Sequence, residues 1–112
     1  MTPIEPFEIE VLHRLTDGVL APDVLDSAIQ DGEFIEYDDT GYGYYLSFRH
    51  PQFPSQRTVC NEPMLVAECG GVEASFVIIL EANELTLECF PTSGDPPIPP
   101  TFRSQPVRIR GV

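Results

Sequence analysis

A chain of 112 residues is the size of one domain, and it can bury roughly two-thirds of its unfolded surface without disulfide or metal staples. Its 42% apolar content is that of a folding sequence and excludes a disordered one. Eighteen acids stand against six arginines and no lysine, a net charge of −12, which excludes nucleic acid as a partner held by clustered cations.

The charge is unevenly spread. Residues 1–39 hold eleven acids and only Arg14, whereas the tail from Thr101 carries Arg103, Arg108 and Arg110 with no acid. A one-signed body of this kind keeps a small protein soluble and also steers it toward basic proteins. Cys60, Cys69 and Cys89 are odd in number and lack C-x-x-C spacing, so neither a disulfide framework nor a zinc site is indicated. Each reads as a small buried hydrophobe. The longest near-continuous apolar run, Phe76–Leu80, is too short to cross a bilayer, so no membrane partner is expected. The first ten residues lack the basic start and apolar stretch of a secretory signal, which makes the cytoplasm the expected address.

Pro6–Leu15 reads as a first helix. Pro6 suits the first helical position, Glu8 and Glu10 complement the dipole, and Phe7, Val11 and Leu15 form a stripe with Leu12 beside it. Gly18 suits the stop. Ala21–Gln30 reads as a second, short helix with Val24, Leu25, Ala28 and Ile29 on its buried face, ended by Asp31-Gly32. The pair makes a helical hairpin over residues 6–30 with its acids turned outward. His13, between apolar neighbours, reads as a half-buried structural histidine.

The segment 33–110 is rich in strand signals. Phe34–Tyr37 is a predicted strand, Asp38–Gly43 a turn, and Tyr44–His50 a strand in which Tyr44, Leu46 and Phe48 alternate with Tyr45, Ser47 and Arg49. Residues 50–63 read as a loop with three prolines. Met64–Glu68 is a third strand, and Gly70-Gly71 a turn or bulge. Ala74–Leu80 and Glu84–Phe90 form a hairpin with Ala74, Phe76, Ile78 and Leu80 on one face, opposite Leu85, Leu87 and Cys89. Residues 91–100 hold five prolines and form either an ordered crossing segment or a mobile loop. Val107–Arg110 adds an edge strand with Arg108 and Arg110 on one side. The expected fold is α+β: one domain over 1–112, an N-terminal helical hairpin packed on an antiparallel sheet of four to six strands.

Enzyme signatures are missing. There is no G-x-S-x-G, H-E-x-x-H, phosphate-cradling loop or dinucleotide fingerprint, so no catalytic residue, cofactor or metal is assigned. His50 with Cys60 is the one pair that could form a catalytic group, and nothing in its spacing requires it. Asp38-Asp39 lacks the D-x-D-x-D-G pattern of a calcium loop and reads as a solvated turn. A binding surface is better supported. Glu33, Glu36, Asp38 and Asp39 lie among Tyr37, Tyr42 and Tyr45. Tyrosines supply rigid contact area with a polar tip, and acids beside them receive arginine or lysine from a partner. Strand and turn preferences also account for these residue types without any partner.

Over T-G-Y-G-Y-Y-L-S-F, residues 40–48, the chain resembles small bacterial proteins that carry a T-G-x-G-[FY]-[FY] strand motif after an N-terminal helical segment. The likeness continues at Gly70-Gly71 and through F-V-I-I-L-E-A-N-E-L-T-L-E-C-F, residues 76–90. It implies architecture and no activity. Glu81-Ala82-Asn83 lacks the glycine that this pattern expects, which leaves the hairpin type open. In style the chain also resembles immunity proteins, whose acidity answers the basic surface of the toxin nucleases they neutralise. The expected function is therefore an acidic module that binds a basic protein. The alternative is a small accessory domain whose charge serves solubility and whose partner is a second copy, paired through an exposed edge strand.

Overall fold

The computed structural model describes residues 4–111; Met1–Pro3, the start of the N-terminal stretch that lacks a secretory signal's pattern, and Val112 lie outside the described residues. Two helices, α1 (Pro6–Leu15) and α2 (Pro22–Asp31), precede seven strands. These are β1 (Glu33–Asp39), β2 (Tyr44–Arg49), β3 (Thr58–Cys60), β4 (Leu65–Cys69), β5 (Val72–Glu81), β6 (Glu84–Pro91) and β7 (Arg108–Gly111), with a 3-10 turn at Pro100–Ser104 before the last. All pairings are antiparallel. The order across the sheet is β1-β2-β6-β5-β4-β7, and β3 pairs with β5 beyond the end of β4.

Helix α1 has the bounds expected from its stripe. Phe7, Val11, Leu12 and Leu15 are buried, and the Thr16 hydroxyl donates to the Leu12 carbonyl at 2.7 Å at its end. Helix α2 buries Leu25 and Ala28 and is tied to α1 by His13, whose Nε2 lies 2.7 Å from Asp26 Oδ1. Both helices cover one face of the sheet. Tyr44, Leu46 and Phe48 of β2, Phe76, Ile78 and Leu80 of β5, and Leu85, Leu87 and Cys89 of β6 all point into this core.

Among the described residues the strands number seven instead of four to six, because the expected loop at 50–63 contains β3. Thr58–Cys60 lies opposite Leu80–Ile78, while Val66–Cys69 lies opposite Ser75–Val72. One edge of the long β5 thus hosts two short strands in succession, and T-V-C is too short to signal a strand by alternation. Strand β1 is also longer than expected. Asp38 and Asp39 pair with Tyr45 and Tyr44, so they continue the ladder, and the turn is confined to 40–43.

That turn explains the T-G-Y-G spacing. Thr40 Oγ1 accepts from the Gly43 N–H at 3.1 Å, and Gly41 has φ +88°. A Cβ on Gly43 would lie 2.0 Å from the Cys89 carbonyl oxygen, so only glycine lets β2 enter the sheet here. The β5–β6 hairpin closes through Ala82 and Asn83, both at positive φ without being glycine. The 50–55 loop holds them: Asn83 Nδ2 donates to the Phe53 carbonyl at 2.6 Å, and the Ala82 and Asn83 N–H groups donate to Ser55 and Pro54. The proline-rich 91–100 segment is an ordered crossing. Its Ile98 is buried and donates its N–H to the Tyr42 carbonyl at 2.7 Å, and it delivers Phe102 edge-on to Phe7.

Candidate functional site

Helices on one side leave the other side of the sheet open, and cross-strand register shows what it displays. Val59, Ile79, Thr86, Ser47 and Glu36 form one row, and Val77, Glu88, Tyr45 and Asp38 form the next. Ser47 and Thr86 satisfy each other at 3.0 Å. Val77, Ile79 and Tyr45 are half-buried by neighbours within the sheet, while Val59 and Phe90 are exposed. The open face therefore mixes apolar residues with carboxylates: Glu36 and Asp38 lie at the β1 end, Glu84 lies on β6, and Glu88 sits between Val77 and Tyr45.

The residues singled out from the sequence lie on or beside β1, whose seven residues are all exposed. They do not form one cluster. Glu36, Asp38 and Tyr45 share the open face. Glu36 and Asp38 raise the Tyr45 hydroxyl pKa, Glu36 most, because the phenolate would join an existing negative field. Glu33 is on that face too, but it faces Arg49 at 3.5 Å, which Glu84 flanks at the same distance. Tyr37 and Asp39 turn to the helix side. Asp39 Oδ1 accepts from the Gly41 N–H at 2.8 Å, so it shapes the turn. Tyr42 projects from the turn, 65% exposed.

The expectation that all helix acids face outward is corrected at Glu8, which is fully buried. Arg103 grips it through two hydrogen bonds, Nε to Oε2 and Nη2 to Oε1, each 2.8 Å. Tyr44 donates its hydroxyl to Oε2, and the Glu5 N–H donates to Oε1 at 2.8 Å. The guanidinium also lies over the rings of Tyr37 and Tyr44, 4.7 and 5.3 Å from their centroids. Burial pulls the Arg103 pKa down, but hydrogen bonding and attraction to Glu8 outweigh it and hold the group firmly charged. Burial pushes the Tyr44 and Cys89 pKa values up, so both stay protonated. A forked ion pair with its lone pairs occupied is a clasp: it ties the 3-10 turn at Pro100–Ser104 to α1, β1 and β2. Sequence reading missed it because Glu8 also suits the helix dipole; the only hint was an arginine tail without acids.

Other candidates are dispersed. His50 packs at a tilt against Phe53 and accepts from the Gln52 N–H at 3.2 Å, while Cys60 is buried in β3 with its thiol pKa raised by burial, the opposite of an activated nucleophile. A cleft of about 400 Å³ lies between the α2–β1 junction and the 49–51 segment, lined by Asp31, Glu33, Arg49, His50 and Asn83. Among the described residues, no three His, Cys, Asp or Glu side chains are placed to hold a metal ion. No helix among them is long and apolar enough to cross a membrane.

Comparison with known proteins finds no matching family model, no similar curated protein and no similar solved structure.

Proposed function

We propose that this chain is an acidic protein-binding module of the cytoplasm that takes a basic protein onto the open face of its sheet beside β1. An immunity- or antitoxin-like inhibitor of a toxin nuclease fits the reading, as does the resemblance to small bacterial proteins of this shape. The observation that carries it is the set of apolar side chains Tyr45, Val77, Ile79 and Phe90 on one face, with Glu88 between Tyr45 and Val77 and with Glu36, Asp38 and Glu84 around them. Apolar and aromatic side chains give a protein interface its contact area, and carboxylates among and beside them select a lysine- or arginine-bearing partner. Tyr42 and Tyr37 extend the contact around the edge, with Asp39 adding to the field. Arg103 and Glu8 hold this edge in place and take no part in contact.

The experiment is to capture the partner and measure its association rate at two salt concentrations. Glu36→Lys with Asp38→Lys should slow association by roughly tenfold or more at low salt and flatten its salt dependence, as loss of steering charge does. Asp39→Lys, on the helix side, should have the smaller effect. Equal rates for wild type and the Glu36, Asp38 variant would remove the interface from this face.

A further inference from the structure

We infer that the two free edges of the sheet complement one another, so that copies of the chain associate head to tail by adding β7 of one copy to β1 of the next. The strand order joins these edges through five antiparallel pairings, β1 to β2, β2 to β6, β6 to β5, β5 to β4 and β4 to β7. An odd number of reversals leaves β7 running opposite to β1. A second copy set beside the first in the same orientation therefore offers β7 antiparallel to β1, with both open faces on the same side. Among the described residues no strand lies outside either edge, and unpaired ladder groups are a template for another strand.

Charge decides which strand fits. Glu36 and Asp38 project from β1 onto the open face, and neither has an ion-pair partner among the described residues. Arg108 and Arg110 project from β7 onto the same face, opposite Glu68 and Val66. Arg110 reaches Glu73 at 2.6 Å, whereas Arg108 is exposed and is the one arginine without an ion pair among the described residues. Both pairs are spaced i, i+2, a strand repeat of roughly 6.6 Å, so one register meets both. Glu36 then faces Arg110 of the neighbouring copy and Asp38 faces its Arg108. The same register sets Ile109 opposite Tyr37 on the other face, an aliphatic–aromatic pair. The bulge in β1 falls between Phe34 and Glu36, ahead of this segment. Pairing β1 with β1 would oppose acids, and β7 with β7 would oppose arginines; each is disfavoured where the mixed pair is favoured. The net charge of −12 repels copies at long range, but physiological salt screens it beyond about 8 Å while the edge contacts are closer.

This assembly does not rest on the basic-partner reading. Both use Glu36 and Asp38, so a basic partner at β1 would compete with a neighbouring copy.

Sedimentation equilibrium at physiological salt tests it with wild type, Arg108→Glu/Arg110→Glu and Glu36→Arg/Asp38→Arg. The wild type should gain average mass with concentration, with a dissociation constant of about 1 mM or tighter. Each variant alone should stay monomeric, and an equimolar mixture should associate again, because each supplies the edge the other has lost. A wild type that is monomeric up to about 1 mM overturns the inference, as does a mixture of folded variants that stays monomeric. Arg108→Glu alone breaks no described ion pair and covers the case in which loss of the Arg110–Glu73 contact unfolds β7. It should weaken association roughly tenfold, and an unchanged constant overturns the edge assignment. A monomeric wild type leaves the basic-partner reading standing, since that is decided by association with a different protein.

Discussion

Ile78 and Ile79 are neighbours on β5, yet the first is fully buried beneath the helices and the second lies half-buried on the open face. The same division runs across β2, where Leu46 is in the core and Tyr45 borders the acids, and across β6, with Leu87 inside and Glu88 outside. On the covered face polar groups are completed internally: Glu8 takes both arms of Arg103, the Tyr44 hydroxyl and a backbone N–H. On the open face the serine and threonine pair is satisfied, but Glu36 and Asp38 have no cation paired with them among the described residues. The difference separates what holds the fold from what is left to interact. Buried charge is costly unless fully partnered, whereas exposed charge is cheap and stays available.

The largest effect should come from breaking the clasp. Arg103→Ala leaves the Glu8 carboxylate buried and unmatched, and should lower unfolding free energy by about 3–5 kcal/mol in urea titrations. Replacing both Glu8 and Arg103 with leucine should recover part of that loss, since no lone charge remains. Wild-type stability in Arg103→Ala would mean that the ion pair is solvated and the clasp is incidental. Next comes the direct comparison of faces on β5. Ile78→Ala should cost about 2–5 kcal/mol as a core cavity, whereas Ile79→Ala should cost about 1 kcal/mol. Equal losses would show that the open face is packed as a second core and is not a free surface.

A smaller and more gradual effect is expected at alkaline pH. The folded chain holds the Cys89 and Tyr44 protons above their ordinary values of 9.0 and 10.0, while the unfolded chain releases them near those values. Above pH 9 the unfolded state therefore binds fewer protons than the folded one, and stability is full below that point and falls as pH rises. Each group contributes a slope of about 1.4 kcal/mol per pH unit once its unfolded form has ionised. Cys89→Ala should remove its share of the fall that begins near pH 9 and leave the share of Cys60, whose thiol burial also raises; an unchanged pH profile would show that the Cys89 thiol ionises freely in the fold.

Much of the local structure was legible in residue order. Phe7, Val11 and Leu15 with Pro6 define α1, and the alternation from Ala74 to Leu80 and from Leu85 to Cys89 defines the central hairpin, because helices and strands have fixed side-chain periods. The glycines around Tyr42 marked a real turn. The candidate surface was legible only as a composition of acids and tyrosines. Which of them share a face follows from the pairing of Asp38 with Tyr45 and Asp39 with Tyr44, and the ladder carried both aspartates past the expected turn. β3 stayed hidden because three residues do not establish a period, and it exists only because β5 extends past the end of β4.

By itself, then, the sequence determined the two helices and their hairpin, the antiparallel β1–β2 and β5–β6 hairpins and the one-sided charge, all of which depend on neighbours within a few residues. Tertiary structure alone decided the strand order that brings β2 against β6, the open face, the free edges at β1 and β7, and the burial of Glu8 under Arg103, 95 residues away. Those features are contacts between distant segments. They are chosen by the competition among whole arrangements to bury apolar surface while leaving no charge unmatched, and no local pattern records the outcome of that competition.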